Sequence, residues 1–258
     1  MLSYSNIGSG FPIVLLHGFC ENKHLWSHQT NALQHEFQLI SFDLTGFGES
    51  KISTTETEYS IEYLAEQVHQ SLESMGLTEY IIIGHSLGGY VALAFAEKYT
   101  KKLKGLGMFH STAFADSEEK KQNRDKTMDF IKRNGVDLFA KSFVQPLFSK
   151  QHRTYLTQEI ADAQETVRQT PIETILKATE AMKKRPDRTH VLKEASYPIL
   201  YVIGKEDLAV PLAQSEAQCY IPKKNIVHLL EGVAHMGMIE AKEKSTEILR
   251  DFALLCKG

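Results

Sequence analysis

Cysteine is sparse in this chain: Cys20, Cys219 and Cys256 are its three copies, odd in number and far apart. No Cys-x-x-Cys occurs, which excludes a disulfide framework or a zinc knuckle and points to a reducing compartment. An excess of one charge is missing too. The 29 Lys and Arg against 32 Asp and Glu leave a net charge of -3, which argues against a nucleic-acid binder or a membrane-surface protein. No apolar run approaches the length needed to cross a bilayer. The start, Met1-Leu2-Ser3-Tyr4-Ser5-Asn6, lacks the basic and apolar regions of a secretory leader, so the cytoplasm is the expected location. There are no repeats and no low-complexity tracts. His35-Glu36 lacks the second histidine of a His-Glu-x-x-His helix, and neither a metal nor another cofactor is expected.

What is present is ordinary for a globular enzyme or binding protein: 42% hydrophobic and 24% charged residues in a length of 258. That length suits one large α/β domain, or a core with an insertion.

Ile13 to Leu16 read as a buried strand that ends in His17-Gly18-Phe19-Cys20, and an amphipathic helix with Trp26 and Leu33 follows. Phe37 to Phe42 make the next strand, which runs into Asp43-Leu44-Thr45-Gly46-Phe47-Gly48-Glu49-Ser50. Ile61, Leu64, Ala65, Val68, Leu72 and Met75 line one helix face, and Gly76 is placed to end that helix. Isoleucines 81 to 83 suit a strand covered on both faces. The period then turns helical at Val91, Ala92, Phe95, Ala96 and Tyr99. Leu106 to Phe109 form a further strand.

Beyond Phe114 the alternation stops, and to Lys193 only helical patterns remain: 126–133, 136–148, 155–167 and 172–182. An all-helical insertion of about 80 residues is too long for a structureless loop and reads as a lid, 114–193, on a core of 1–113 and 194–258. Strands return at Ile199 to Ile203 and Ile226 to Leu230. A closing helix carries Ile239, Ile248, Leu249, Phe252 and Leu255. Strands that alternate with helices predict a mostly parallel sheet of about seven strands, flanked by helices on both faces. Ligands of such sheets bind beyond the carboxyl ends of the strands. His17, Asp43, Ser86 and His110 all lie at such ends.

Gly84-His85-Ser86-Leu87-Gly88 is Gly-x-Ser-x-Gly between a strand and a helix. A hydroxyl attacks a carbonyl only when it stands clear of the backbone, and a sharp strand-to-helix turn lifts Ser86 to the tip. Side chains two positions to either side would collide in that turn, so glycine occupies both. The helix aims its free N–H groups at the tip, where negative charge develops on reaction. A serine also needs a base, and the base an orienting carboxylate. Asp207 and His235 follow later strands on the same edge of the sheet, in the order Ser, Asp, His.

These motifs together make the chain resemble the α/β-hydrolase superfamily, in its lidded serine ester-hydrolase branch with carboxylesterases, enol-lactonases and cofactor-free haloperoxidase-like proteins. The resemblance rests on His17-Gly18-Phe19, Asp43-x-x-Gly46-x-Gly48-x-Ser50, Gly84-His85-Ser86-Leu87-Gly88-Gly89, Gly204-x-x-Asp207 and Ala234-His235. Trp26 also sits where many members carry a tryptophan. The resemblance covers nearly the whole chain and implies the α/β-hydrolase fold. It makes Ser86 the nucleophile, His235 the general base and then acid, and Asp207 the carboxylate that fixes the imidazole tautomer. It assigns the oxyanion hole to the backbone N–H groups of Phe19 and Leu87. Many members open with an antiparallel hairpin, and the N-terminus here is too short for its first strand, which leaves the sheet edge open.

Other residues compete for these roles. Asp43 is a second carboxylate at a strand end, better read as a brace for the Gly46–Gly48 turn. Asp116 is another, since in some members of the superfamily the acid follows the Phe109 strand. Glu206 reads as solvated. His17 and His85 read as packed, hydrogen-bonded histidines. Glu21, His24 and His28 could share a helix face as metal ligands do, but a solvated face is the simpler reading. Phe19, His110, Phe139, Phe143 and Met236 are the candidate substrate contacts, with Phe139, Phe143 and Phe148 also forming the lid's own core.

The function expected is hydrolysis of a small or medium carboxylic ester through an acyl-enzyme. Lactone, thioester or activated C–C cleavage would use the same three residues. Haloalkane dehalogenases and epoxide hydrolases resemble the chain but carry aspartate where Ser86 stands. A receptor or signalling protein that keeps the residues is the alternative from another class. The expected partner is a small molecule, not nucleic acid or membrane.

Overall fold

The computed structural model describes residues 1–52 and 58–258. Among them, β1 (Tyr4–Ile7), β2 (Phe11–Leu16), β3 (Phe37–Phe42), β4 (Tyr80–His85), β5 (Leu103–Phe109), β6 (Ile199–Gly204) and β7 (Asn225–Leu230) form one sheet. Its order is β1-β3-β2-β4-β5-β6-β7. Every pairing from β3 to β7 is parallel, and only β1 runs antiparallel. The apolar runs of β4 and β6 are buried along their whole length, as central strands with both faces covered must be, whereas edge strands β1 and β7 alternate in exposure.

The sheet edge that the sequence left open is closed by β1, a single strand in place of a hairpin. It passes over its neighbour in sequence, β2, and pairs with β3, Tyr4 opposite Phe42. Gly8 and Gly10, at φ 76 and 115, make the turn between β1 and β2.

Helices fill the connections. After a 3₁₀ turn at Lys23–Trp26 come α1 (Ser27–Leu33), α2 (Ile61–Ser74) and α3 (Leu87–Tyr99). Ser60 caps α2 by accepting the Tyr63 N–H, and Gly76 follows it at φ 68, the left-handed conformation that closes a helix. Between β5 and β6 lie α4 (Glu118–Val144), α5 (Thr157–Gln169), α6 (Ile172–Lys184) and α7 (Thr189–Glu194). α8 (Leu212–Cys219) joins β6 to β7, and α9 (Gly237–Glu240) and α10 (Lys242–Lys257) close the chain. α2 and α3 pack together against the sheet as one layer, and α1 with α10 as another. Trp26 is fully buried, its ring edge-on to Phe109 at 5.3 Å.

Separated by a kink at Gly135, whose backbone is not helical (φ 78, ψ 174), the two helices expected at 126–133 and 136–148 are the two runs of α4. It starts at Glu118 because Ser117 accepts the Lys120 N–H and Glu118 and Glu119 face the positive end of the helix. It stops at Val144, and Phe148 lies beyond a 3₁₀ turn that carries Pro146.

Parallel register lines up the strand ends. Leu16 is level with Phe42 and Gly84, His85 with Phe109, Phe109 with Val202, and Gly204 with Leu230. The residues that follow these strands therefore emerge along one edge.

Candidate active site

Ser86 stands between β4 and the first residue of α3 at φ 49 and ψ -112. Such a backbone costs a residue with a side chain about 1–3 kcal/mol, so the surroundings must hold it. They do: the Ser86 N–H donates to Phe109 O at 3.0 Å, and the Ser86 carbonyl accepts the Ser111 hydroxyl at 2.7 Å. A Cβ on Gly84 would lie 2.2 Å from the Gly88 carbonyl, and one on Gly88 2.5 Å from the Leu16 carbonyl. Leu87 opens α3, so its N–H lacks a partner within the helix.

Asp207 follows β6 and is buried. Its Oδ1 accepts the N–H groups of Ala209 at 2.8 Å and Val210 at 2.9 Å, which leaves Oδ2 to the His235 Nδ1 at 2.8 Å. Burial alone would raise the Asp207 pKa, but the His235 imidazole hydrogen-bonded to it holds it far below the usual carboxylate range. Burial likewise would lower the His235 pKa, and the Asp207 carboxylate overrides it and raises it above 6.5. With Nδ1 committed to Asp207, Nε2 is the nitrogen left to take a proton.

His85, the residue before Ser86, is anchored at both nitrogens. Nδ1 meets Glu21 Oε2 at 2.9 Å, and Nε2 meets the His235 carbonyl at 3.0 Å. Glu21 Oε2 also accepts the Gly18 N–H at 2.5 Å. One carboxylate thus ties the loop before Phe19 to the turn that bears Ser86, and through His85 to His235. Burial would raise the Glu21 pKa, and His85 with the Gly18 N–H lowers it instead.

The ends of β2, β4, β5, β6 and β7 thus bring a strained serine and a buried Asp–His pair to one edge of a parallel sheet. A profile of the alpha/beta hydrolase fold matches residues 12–242. The chain belongs to that family. Among curated relatives, Lipase 1 of Psychrobacter immobilis is 26% identical over 252 residues, which cover 95% of this chain and 77% of the relative. A putative carbamate hydrolase of Enterobacter cloacae is 25% identical over 95% of this chain and 93% of its own length. Among solved structures, a thermophilic esterase from Thermogutta terrifontis superposes with a TM-score of 0.93 at 29% identity, covering 100% of this chain and 94% of the other.

In this α/β-hydrolase the rival carboxylates go elsewhere. Asp43 accepts the N–H groups of Lys23 and Glu49 at 2.7 and 2.9 Å and pairs with the Lys23 ammonium. Asp116 is buried between Arg124 and Arg185, 2.5 and 2.7 Å away. Glu206 is exposed. Glu21 is not solvated, as its place on a presumed helix face suggested, because the chain there is a loop that turns it inward to His85. Glu21, His24 and His28 line one cavity, and among the described residues their ligand atoms do not gather into a group that could hold a metal ion.

That cavity, about 450 Å³, is walled by Phe19, Phe143, Leu147, Met236, Met238 and Ile239 among others. A second, about 620 Å³, is bounded by Phe19, Phe139, Phe143 and Leu147. Phe19 and Phe143, edge-on at 5.6 Å, border both. His110, expected among the substrate contacts, lines neither cavity, and nor do Ser86, Asp207 and His235. His110 is buried behind Asp207, with Nδ1 accepting the Gly204 N–H at 3.2 Å and lying 3.5 Å from Asp207 Oδ2.

Proposed function

We propose that this protein is a serine hydrolase that cleaves a small or medium carboxylic ester through an acyl-enzyme. The observation that carries the proposal is the buried Asp207–His235 pair at 2.8 Å together with a serine held at φ 49 on the same sheet edge. Ser86 is the nucleophile, His235 the base and then the acid, and Asp207 the carboxylate that orients it. The ester as substrate class is supported by the whole-chain likeness to the Thermogutta esterase.

Ester hydrolysis then runs in two halves. Ser86 gives its proton to His235 Nε2 as its oxygen bonds the ester carbon. The carbonyl oxygen becomes an oxyanion, received by the N–H groups of Phe19 and Leu87, worth about 3 kcal/mol each to the transition state. The tetrahedral species collapses, the alcohol leaves, and His235 returns the proton to it. Water then gives a proton to His235 and its oxygen to the acyl carbon, and the acid departs with Ser86 restored. Asp207 keeps the proton of the resting ring on Nδ1 and stabilises the imidazolium of each half. No step calls for a metal or a cofactor.

The segment 114–193 acts as the lid over a core of 1–113 and 194–258. Its residues Phe139 and Phe143, with Phe19 and Met236 of the core, offer apolar walls to one side of the ester. The three cysteines are buried and free, which suits a reducing cytoplasm. The test is a panel of p-nitrophenyl esters of graded chain length, run with wild type and Ser86→Ala. Turnover by wild type and loss of at least about 10³-fold in the variant is the expected result. Full turnover by folded Ser86→Ala, or none by wild type across the panel, would sink the proposal.

A further inference from the structure

The mechanism makes no use of Glu240, yet its carboxylate is the most heavily hydrogen-bonded near His235. Its side chain has no exposure to solvent. Oε1 accepts the N–H groups of Ala234 at 3.0 Å and Met236 at 3.2 Å, the residues on either side of His235. Oε2 accepts the Ser149 N–H at 2.8 Å and meets His152 Nδ1 at 2.7 Å. Ser149 and His152 belong to the chain between β5 and β6, just past the 3₁₀ turn. The same stretch reaches His235 directly, for the His235 N–H donates to the Leu147 carbonyl at 2.9 Å. A carboxylate taken out of water is tolerated only when donors replace its hydration, and four do so here. They divide evenly: one oxygen holds the loop of His235, the other holds residues 149–152.

We propose that Glu240 is a positioning residue for His235, and that it makes the placement of the base depend on the docking of residues 147–152. The inference rests on His235 acting as the base. Three backbone N–H groups in a row, those of Ala234, His235 and Met236, are anchored either to Glu240 or to Leu147, so the loop has little freedom while the stretch is seated. When it lifts, Oε2 loses both donors and the loop loses the Leu147 carbonyl. The imidazole is then steered only by Asp207 and by the His85 contact to its carbonyl. The base is thereby in register only when the inserted helices are down.

Glu240→Gln and His152→Ala separate positioning from plain stability. The amide keeps one acceptor oxygen and so satisfies one pair of donors; His152→Ala leaves Glu240 on the His235 loop and removes one tie to the insertion. Each variant is assayed by kcat and KM on the best ester, and by the low-field proton resonance of the His235–Asp207 hydrogen bond, assigned by its loss in Asp207→Asn. An ångström of misplacement is worth up to about 10²-fold in rate. The expected result is a kcat lower by about 10- to 10²-fold with KM changed by less than about threefold, and a resonance broadened or lost, in protein that circular dichroism reports as folded. Unchanged kcat and a sharp, unshifted resonance overturn the proposal, even if the melting temperature falls. Should Glu240→Gln not fold, His152→Ala decides by the same two readings. The resonance is read without substrate, so absence of ester turnover in wild type would sink the catalytic reading and leave this test intact.

Discussion

Exchanging Asp207 for asparagine should disable the base while leaving the fold almost untouched, and the hydrogen bonds say why. Ala209 and Val210 both donate to Asp207 Oδ1, so the amide oxygen of the variant must stay on that side. Its nitrogen then faces His235 Nδ1, donor against donor. The ring avoids this by carrying its proton on Nε2, and a protonated Nε2 cannot accept from Ser86. The expected loss in kcat is about 10⁴-fold, about 5 kcal/mol of transition-state stabilisation, with KM little changed. The pH profile moves with it. In wild type the carboxylate lifts the His235 pKa above 6.5 against burial, so activity should rise with pH to a midpoint above that value. Without the carboxylate burial governs, and the residual activity should rise with a midpoint below 6.5. Asp116→Asn is the control. Asp116 offsets two guanidinium groups, and Arg185 is buried. Removing its charge should cost about 3–5 kcal/mol of stability. That corresponds to a melting point lower by about 6–20 °C, with kcat, assayed well below the transition, within about threefold of wild type. Steady-state kinetics over pH 5–9 (about the usable range for a histidine limb) and thermal melts read both variants. A folded Asp116→Asn that loses as much kcat as Asp207→Asn would refute the assignment of the acid, and so would Asp207→Asn that keeps a tenth of its rate.

Gly88→Ala must push a Cβ into the Leu16 and His17 carbonyls, 2.5 and 2.6 Å away; esterase activity should be lost with a melting point lowered by several degrees, and wild-type kinetics would show that the turn is not under the constraint described. Glu21→Gln should cost about 1.5–3 kcal/mol at neutral pH, the usual worth of hydrogen bonds to a charged group. Because the folded-state pKa of Glu21 is lowered, its contribution is present above its unfolded value and lost as pH falls through the folded one. Urea midpoints of wild type and variant should therefore differ at pH 7 and converge toward pH 3 (roughly the lower end of the carboxylate range); a gap that is constant with pH would rule out a charge origin.

The parallel sheet was legible because central strands announce themselves: Ile81 to Ile83 are all apolar, and in Ile199 to Ile203 the one polar group, the Tyr201 hydroxyl, is buried on the Gln218 carbonyl. The turn at Ser86 was legible for a similar reason, since Gly84 and Gly88 are required by contacts within one short stretch. Strand β1 was not, because Tyr4–Ile7 is a half-exposed edge with no apolar run to mark it. The first turns of α4 carry Glu118, Glu119, Lys120 and Lys121, whose solvent face gives no period, and only the Ser117 cap could have signalled the start. Glu21 and Glu240 were beyond reach for a different reason. Each is a charged residue whose partners lie far along the chain, His85 for one and Ser149 with His152 for the other, and nothing local distinguishes an inward carboxylate from a solvated one.

Four histidines meet at the strand ends, and their hydrogen bonds decide which is free to act. His17 donates from Nδ1 to the Gly18 carbonyl at 2.7 Å and accepts the Leu44 N–H on Nε2 at 2.9 Å, so it is neutral and fully used; burial lowers its pKa accordingly. His85 has both nitrogens on oxygens of Glu21 and His235. His110 accepts from Gly204 on Nδ1, so its proton is on Nε2, which has no partner among the described residues and lies 2.3 Å from where a Gly237 Cβ would be. Burial holds its pKa at about 4, so near neutral pH it brings no positive charge to Asp207. That neutrality matters, because a cation 3.5 Å from Oδ2 would compete with His235 for the one carboxylate that stabilises its imidazolium. The strained φ of 48 at His110, beside those of 59 at Cys20 and 49 at Ser86, places the backbone strain at the ends of β5, β2 and β4. Of the four rings, His235 alone has one nitrogen on the Asp207 carboxylate and no hydrogen bond on the other among the described residues, and that difference in partners, not the identity of the residue, is the ground on which we propose it as the base.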